Sequence, residues 1–93
     1  KIKSVKSQSK KHKIKVIWNT KSGASGYQIY YSRNKNFKKL AAKKTVKGGK
    51  TKSYVGKNFT KGKKYYVKVR AYKNVNGKKV YGKWSNVKSV RVK

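Results

Sequence analysis

The sequence predicts an all-β fold: a seven-stranded antiparallel sandwich of two sheets, with residues 1–93 forming one domain. Three observations carry this reading. Apolar and polar residues alternate with period two in several short runs. β-branched and aromatic residues dominate those runs, proline is absent, and no segment sustains the 3.6-residue period of a helix. Gly- and Asn-containing turns separate the runs. Alternation with one apolar face suits antiparallel sheets packed face to face.

The elements follow in order. Residues 2–6 supply a first strand. In residues 12–18, Ile14, Val16 and Trp18 share the inner face, while Lys13 and Lys15 point outward. Residues 19–26 form a loop punctuated by Gly23 and Gly26. The next strand, 27–33, turns Tyr27, Ile29 and Tyr31 inward. Residues 37–42 are compatible with either an irregular segment or one helical turn, and 43–47 with a short strand that ends at Gly48-Gly49. Another strand covers 51–55. The clearest alternation spans 64–75: Tyr65, Val67, Val69 and Ala71 face in, and Tyr66, Lys68, Arg70 and Tyr72 face out. Asn76-Gly77 is a strong hairpin signal, because both residues tolerate positive φ. Residues 78–81 return from that turn, and 87–92 close the domain.

Charge is the second theme. Thirty lysines and arginines face no aspartate or glutamate, for a formal charge of +30. Without carboxylates there is no glycosidase pair, no acid-supported triad and no calcium or magnesium cage. Without cysteine there is no disulfide, thiolate nucleophile or Cys-type zinc site, and a single histidine builds no metal centre. The reading is therefore a non-enzyme with no catalytic, cofactor-binding or metal site. Leu, Ile, Val and Phe make up only 18 of 93 residues, a composition that borders on disorder at this charge. Eight tyrosines and two tryptophans supply the missing apolar area. No apolar run reaches membrane-spanning or signal-peptide length. The chain begins at lysine, which reads as an excised or processed module.

Several stretches resemble the fibronectin type III domain. Lys13-Ile14-Lys15-Val16-Ile17-Trp18 resembles its second strand, and Gly26-Tyr27-Gln28-Ile29-Tyr30-Tyr31 its third. Phe59-Thr60-Lys61-Gly62-Lys63-Lys64-Tyr65, followed by the alternating run to Ala71, is similar to the family's most specific segment. Gly82-Lys83-Trp84-Ser85-Asn86-Val87 resembles the entry into its last strand. The resemblance covers nearly the whole chain. It implies an immunoglobulin-like sandwich with Trp18 in the core. It also implies Tyr65 at the tyrosine corner, its phenol capping a backbone carbonyl. The family usually has leucine where Phe59 stands and an apolar residue where Gly56 stands, so a thinner core is expected under the fifth strand. Trp84-Ser85 resembles the Trp-Ser signature of cytokine-receptor modules, but the second such pair is missing, which favours structural stacking of Trp84 on Arg70. The lysine-rich style and the Asn76-Gly77-Lys78-Lys79 hairpin are similar to modules of secreted or surface proteins of Gram-positive bacteria. That implies an extracellular or cell-surface location.

The outer face of the sheet carrying the 64–75 strand holds the candidate site: Tyr30, Tyr66, Lys68, Arg70, Tyr72 and Arg91, with Arg33 at its edge. Arginine offers a planar fork to phosphate and sulfate, and interleaved tyrosines offer stacking platforms. The same interleaving also serves plain cross-strand packing. The partners expected are polyanions: DNA or RNA, teichoic acids, sulfated glycans and anionic membrane surfaces, bound by a monomer without sequence specificity. Two other readings stay open: a plain spacer module of a secreted multidomain protein, and a supercharged scaffold for nucleic-acid complexation or cell entry.

Overall fold

The computed structural model describes residues 5–10 and 12–92. Among them run eight strand segments: β1 (Val5–Lys10), β2 (Lys13–Trp18), β3 (Gly26–Ser32), β4 (Leu40–Lys47), β5 (Ser53–Gly56), β6 (Lys64–Val75), β7 (Lys78–Tyr81) and β8 (Lys88–Arg91). One sheet has the order β1-β2-β5; the other has the order β4-β3-β6-β7, with β8 also on β6. All pairings are antiparallel. β7 pairs with residues 72–75 of β6 and β8 with residues 64–67. The two are halves of one interrupted strand, which makes this the expected seven-stranded sandwich.

Strands with clean alternation fall where their pattern places them. β6 spans 64–75 and β7 spans 78–81, joined by a turn with Asn76 at φ 50° and Gly77 at φ 80°. Strands with polar sequences differ from expectation. The first was expected at 2–6; the strand runs Val5–Lys10, and residues 2–4 lie outside the described ones. Its Ser7-Gln8-Ser9-Lys10 half carries no alternation, and its place is set by backbone pairing with β2. β4 starts at Leu40, so strand occupies half of the segment left undecided between irregular chain and helical turn. β5 and β8 sit within a residue or two of their expected bounds.

The inner faces meet in one core. β2 contributes Ile14, Val16 and Trp18, β3 contributes Tyr27, Ile29 and Tyr31, and β6 contributes Tyr65, Val67, Val69 and Ala71; Phe59 and Val92 close the ends. Rings are a large share of it: Trp18 packs on Tyr27 at 5.4 Å between centroids, Tyr31 on Phe59 at 4.9 Å, and Phe59 on Tyr65 at 5.1 Å. Phenols also act as clamps. The Tyr27 hydroxyl accepts from the Lys21 N–H at 2.8 Å and donates to the Gly49 carbonyl at 2.6 Å, tying two loops together. The Tyr31 hydroxyl is buried without a hydrogen-bond partner among the described residues, and that burial, with the Tyr54 phenol as a lesser influence, pushes its pKa upward.

Two expectations need correction. Tyr65 does sit at the corner, but its phenol accepts the Thr60 N–H at 3.0 Å rather than capping a carbonyl. Gly56 does not thin the core. A Cβ there would lie 2.8 Å from the Phe59 ring and 3.2 Å from the Tyr31 hydroxyl, so the missing side chain is the space that the Phe59 ring fills. Gly56 and Phe59 thus fit each other.

Tyr65→Phe removes the acceptor of the Thr60 N–H and is expected to cost about 0.5–1.5 kcal/mol, whereas Tyr66→Phe is expected to change little; urea unfolding of both variants checks this. Gly56→Ala overpacks the Phe59 site and is expected to cost about 1–3 kcal/mol. In a Phe59→Leu background that cost should shrink, and a double-mutant cycle measures the coupling.

Candidate polyanion-binding face

The outer face of the larger sheet is organised by β3 and β6. Their register sets Gln28 opposite Arg70 and Tyr30 opposite Lys68. Residues directly opposite share a face, so these four meet on the outer side. The interruption between β7 and β8 adds the fifth member. At Gly82–Val87 the chain leaves regular pairing, and Ser85 holds it to β6: its N–H donates to the Val69 carbonyl at 2.7 Å, and its hydroxyl accepts the Val69 N–H at 2.9 Å. The hydroxyl thus substitutes for a ladder carbonyl, and the neighbouring Trp84 ring lies over the outer face.

Trp84 is the hub. Its ring lies 4.6 Å from that of Tyr30, with the Arg70 guanidinium 4.3 Å and the Lys68 ammonium 4.5 Å from its centroid. Arg70 reaches the Tyr81 ring at 3.8 Å on its other side, and its Nε donates to Gln28 Oε1 at 2.8 Å. Lys68 reaches the Phe37 ring at 4.3 Å. The result is a row of alternating cations and rings: Phe37, Lys68, Trp84, Arg70, Tyr81. Each contact is worth about 0.5–2 kcal/mol, depending on desolvation. Partial burial, and then the nearby Arg70 charge, hold the Lys68 pKa below lysine's usual value.

The expected site residues do not form one cluster. Tyr30, Lys68 and Arg70 converge on Trp84. Tyr72 lies on the outer face but is only 3 % exposed: its ring covers Gly26, where a Cβ would lie 2.6 Å from it, and abuts Tyr81. It therefore offers no platform to a ligand. Arg91 is exposed at the far end of β6, where its guanidinium donates to the Gly62 carbonyl at 2.8 Å. Arg33, beyond β3, rounds the edge of the sandwich, with its guanidinium 5.9 Å from the Tyr65 ring. Tyr66 is half-buried beside the 33–38 turn and borders an open hollow there. Trp18 is core, 2 % exposed. The described residues hold no group of three or more His, Cys, Asp or Glu side chains.

No protein-family model and no curated protein matches the chain. Solved structures do. A myokine structure matches at a TM-score of 0.76 and 17 % identity, over 98 % of this chain and 94 % of that one. The FN1–FN3 domains of chicken CNTN1 match at 0.79 and 20 % identity, over 99 % of this chain and 30 % of that one. A Fn3-like protein from Clostridium thermocellum matches at 0.73 and 19 % identity, over 99 % and 91 %. The fold is that of a fibronectin type III domain.

Within this fibronectin type III fold, Gln28, Phe37, Tyr81 and Ser85 are members of the site that the sequence pattern did not single out. Phe37 adopts φ 56°, uncommon for a bulky residue, so no periodicity marks its ring as part of a sheet face. Ser85 is nearly buried, and its role depends on the strand interruption. Trp84→Ala removes two cation–π stacks and a half-buried ring, with an expected loss of roughly 2 kcal/mol or more. Lys83→Ala, on an exposed neighbour, should be near neutral. Chemical denaturation of the two variants side by side tests whether Trp84 is the hub of the face.

Proposed function

We propose that this chain is a non-catalytic, monomeric, extracellular or cell-surface module that binds polyanions through delocalised positive charge. Nucleic acid, teichoic acids, sulfated glycans and anionic membrane surfaces all belong to that class. The observation that carries the reading is thirty cationic side chains against no acidic one. A body so charged attracts any polyanion and repels its own copies.

The placement of the cations supports it. Exposed lysines stand on both sheets, at Lys13 and Lys15 of β2, Lys43 and Lys44 of β4, and Lys88 of β8, and in the connections at Lys57, Lys61 and Lys83. Charge so spread follows a polymer along several tracks and needs no single groove. The described residues contain no helix that would enter a major groove. Binding is therefore expected to be blind to sequence and dominated by counterion release. With about eight phosphates neutralised, log K should fall against log salt with a slope of roughly −7. Titration of fluorescent single-stranded DNA and of a sulfated glycan across salt concentrations measures that slope. A slope near zero, or no binding at physiological salt, contradicts the reading.

A further inference from the structure

One surface stands apart from the diffuse charge. The turn from β3 into β4 borders a shallow, widely open depression of about 760 Å³ lined by Arg33, Asn34, Lys35, Asn36, Lys38 and Tyr66. A second, of about 300 Å³, is lined by Lys35, Lys64, Tyr66, Val87 and Ser89. Lys35 and Tyr66 border both, so the two depressions adjoin beside the Tyr66 ring.

The turn is held in place. Ser32, fully buried, donates its hydroxyl to the Lys39 carbonyl at 2.7 Å and accepts the Asn34 N–H at 3.0 Å, closing the turn at its base. Asn34 accepts the Phe37 N–H at 3.0 Å, and the Phe37 ring is anchored beside the Lys68 ammonium at 4.3 Å. Asn36 Oδ1 accepts the Lys38 N–H at 3.2 Å, so the amide N–H groups of Asn36 are what it has left to donate. A site whose frame is already ordered loses less entropy on binding.

The chemistry of the lining selects the ligand. Arg33, Lys35, Lys38 and Lys64 present only donors, and the chain has no carboxylate to accept from sugar hydroxyls. A neutral glycan's hydroxyls can accept from these side chains and donate to the oxygens of Asn34 or Ser89, but they bring no negative charge to four cations. A phosphate or sulfate ester, all acceptors and negatively charged, matches them, and the guanidinium fork suits a tetrahedral oxyanion. The Tyr66 ring supplies an apolar platform for the carbon skeleton that bears the ester.

We propose that the Arg33–Lys38 turn, with Tyr66 and Lys64, is a defined binding site for a phosphate or sulfate ester carried on a sugar or polyol, the anchoring unit of the polyanion. The identity of the bound polymer rests on the polyanion reading; the site itself is tested with small ligands.

The test is amide-shift mapping of the full chain at about 0.15 M salt, where long-range attraction between exposed charges is screened. Three probes are used: a sulfated disaccharide, the same disaccharide without sulfate, and glycerol 3-phosphate. Saturable shifts confined to residues 33–39 and to 64, 66, 87 and 89 are expected with at least one ester. The unsulfated disaccharide should give none. Shifts with the disaccharide alone would assign the site to sulfated glycans; shifts with glycerol phosphate alone would assign it to phosphate polymers. Arg33→Lys keeps the net charge and removes the fork, and should weaken binding about tenfold or more. Tyr66→Leu, a second variant that spares every charge, should weaken it by a similar factor. Shifts spread over lysines of every strand, equal binding of the unsulfated sugar, or unchanged affinity in both folded variants would overturn the site. A flat salt slope with the polymers would instead remove the polyanion reading and leave the small-ligand result standing.

Discussion

Every ionised side chain in this protein has the same sign, so the sandwich holds without a single side-chain ion pair. The usual partner of a lysine or arginine does not exist, and the charges push one another apart. What opposes them is burial of apolar surface and the backbone pairing of two antiparallel sheets. The core answers this constraint with rings. Trp18, Tyr27, Tyr31, Phe59 and Tyr65 bury large areas per residue, and two of the tyrosines also fix loops through their hydroxyls. The glycine at 56 belongs to the same solution, because it leaves room for one more ring.

The surface follows the same logic. With no carboxylates, cations turn to the other electron-rich groups available. Lys68 and Arg70 stack on Trp84, Lys44 lies near the Tyr54 ring, Lys64 near Tyr66 and Lys79 near Tyr72. Arg91 turns to a carbonyl oxygen and Arg70 to the Gln28 amide oxygen. These contacts occupy part of the positive charge without neutralising it, so the molecule keeps its attraction for anions. The 33–38 turn differs, because there several donors border an open depression with a frame of its own.

The fold was legible where side chains carry the information. β2 and β6 alternate because one face of each is buried; β3 is covered on both faces, yet its inner residues Tyr27, Ile29 and Tyr31 still follow from the period of the sequence. β1 and the start of β4 were not legible, because they are edge strands placed by pairing rather than by pattern. The outer face was legible in part: parity places Tyr30, Lys68 and Arg70 on it, but not Phe37 or the arrangement around Trp84. Parity assigns Tyr72 to it, yet only the close approach of Gly26 shows why the ring is covered. The strand interruption at Ser85 and the left-handed Phe37 are local backbone events without a periodic signal, and they decide which rings reach Lys68 and Arg70.

The account rests on burial that outweighs self-repulsion. Circular dichroism melting in sodium chloride from about 0.01 M to about 0.15 M tests it most directly, since the Debye length falls over that range from about 30 Å to about 8 Å. The predicted result is a cooperative β-sheet transition at both ends, with a midpoint that climbs as salt is added. A coil spectrum without a transition would deny the burial, and a midpoint that stays level or drops would deny the repulsion.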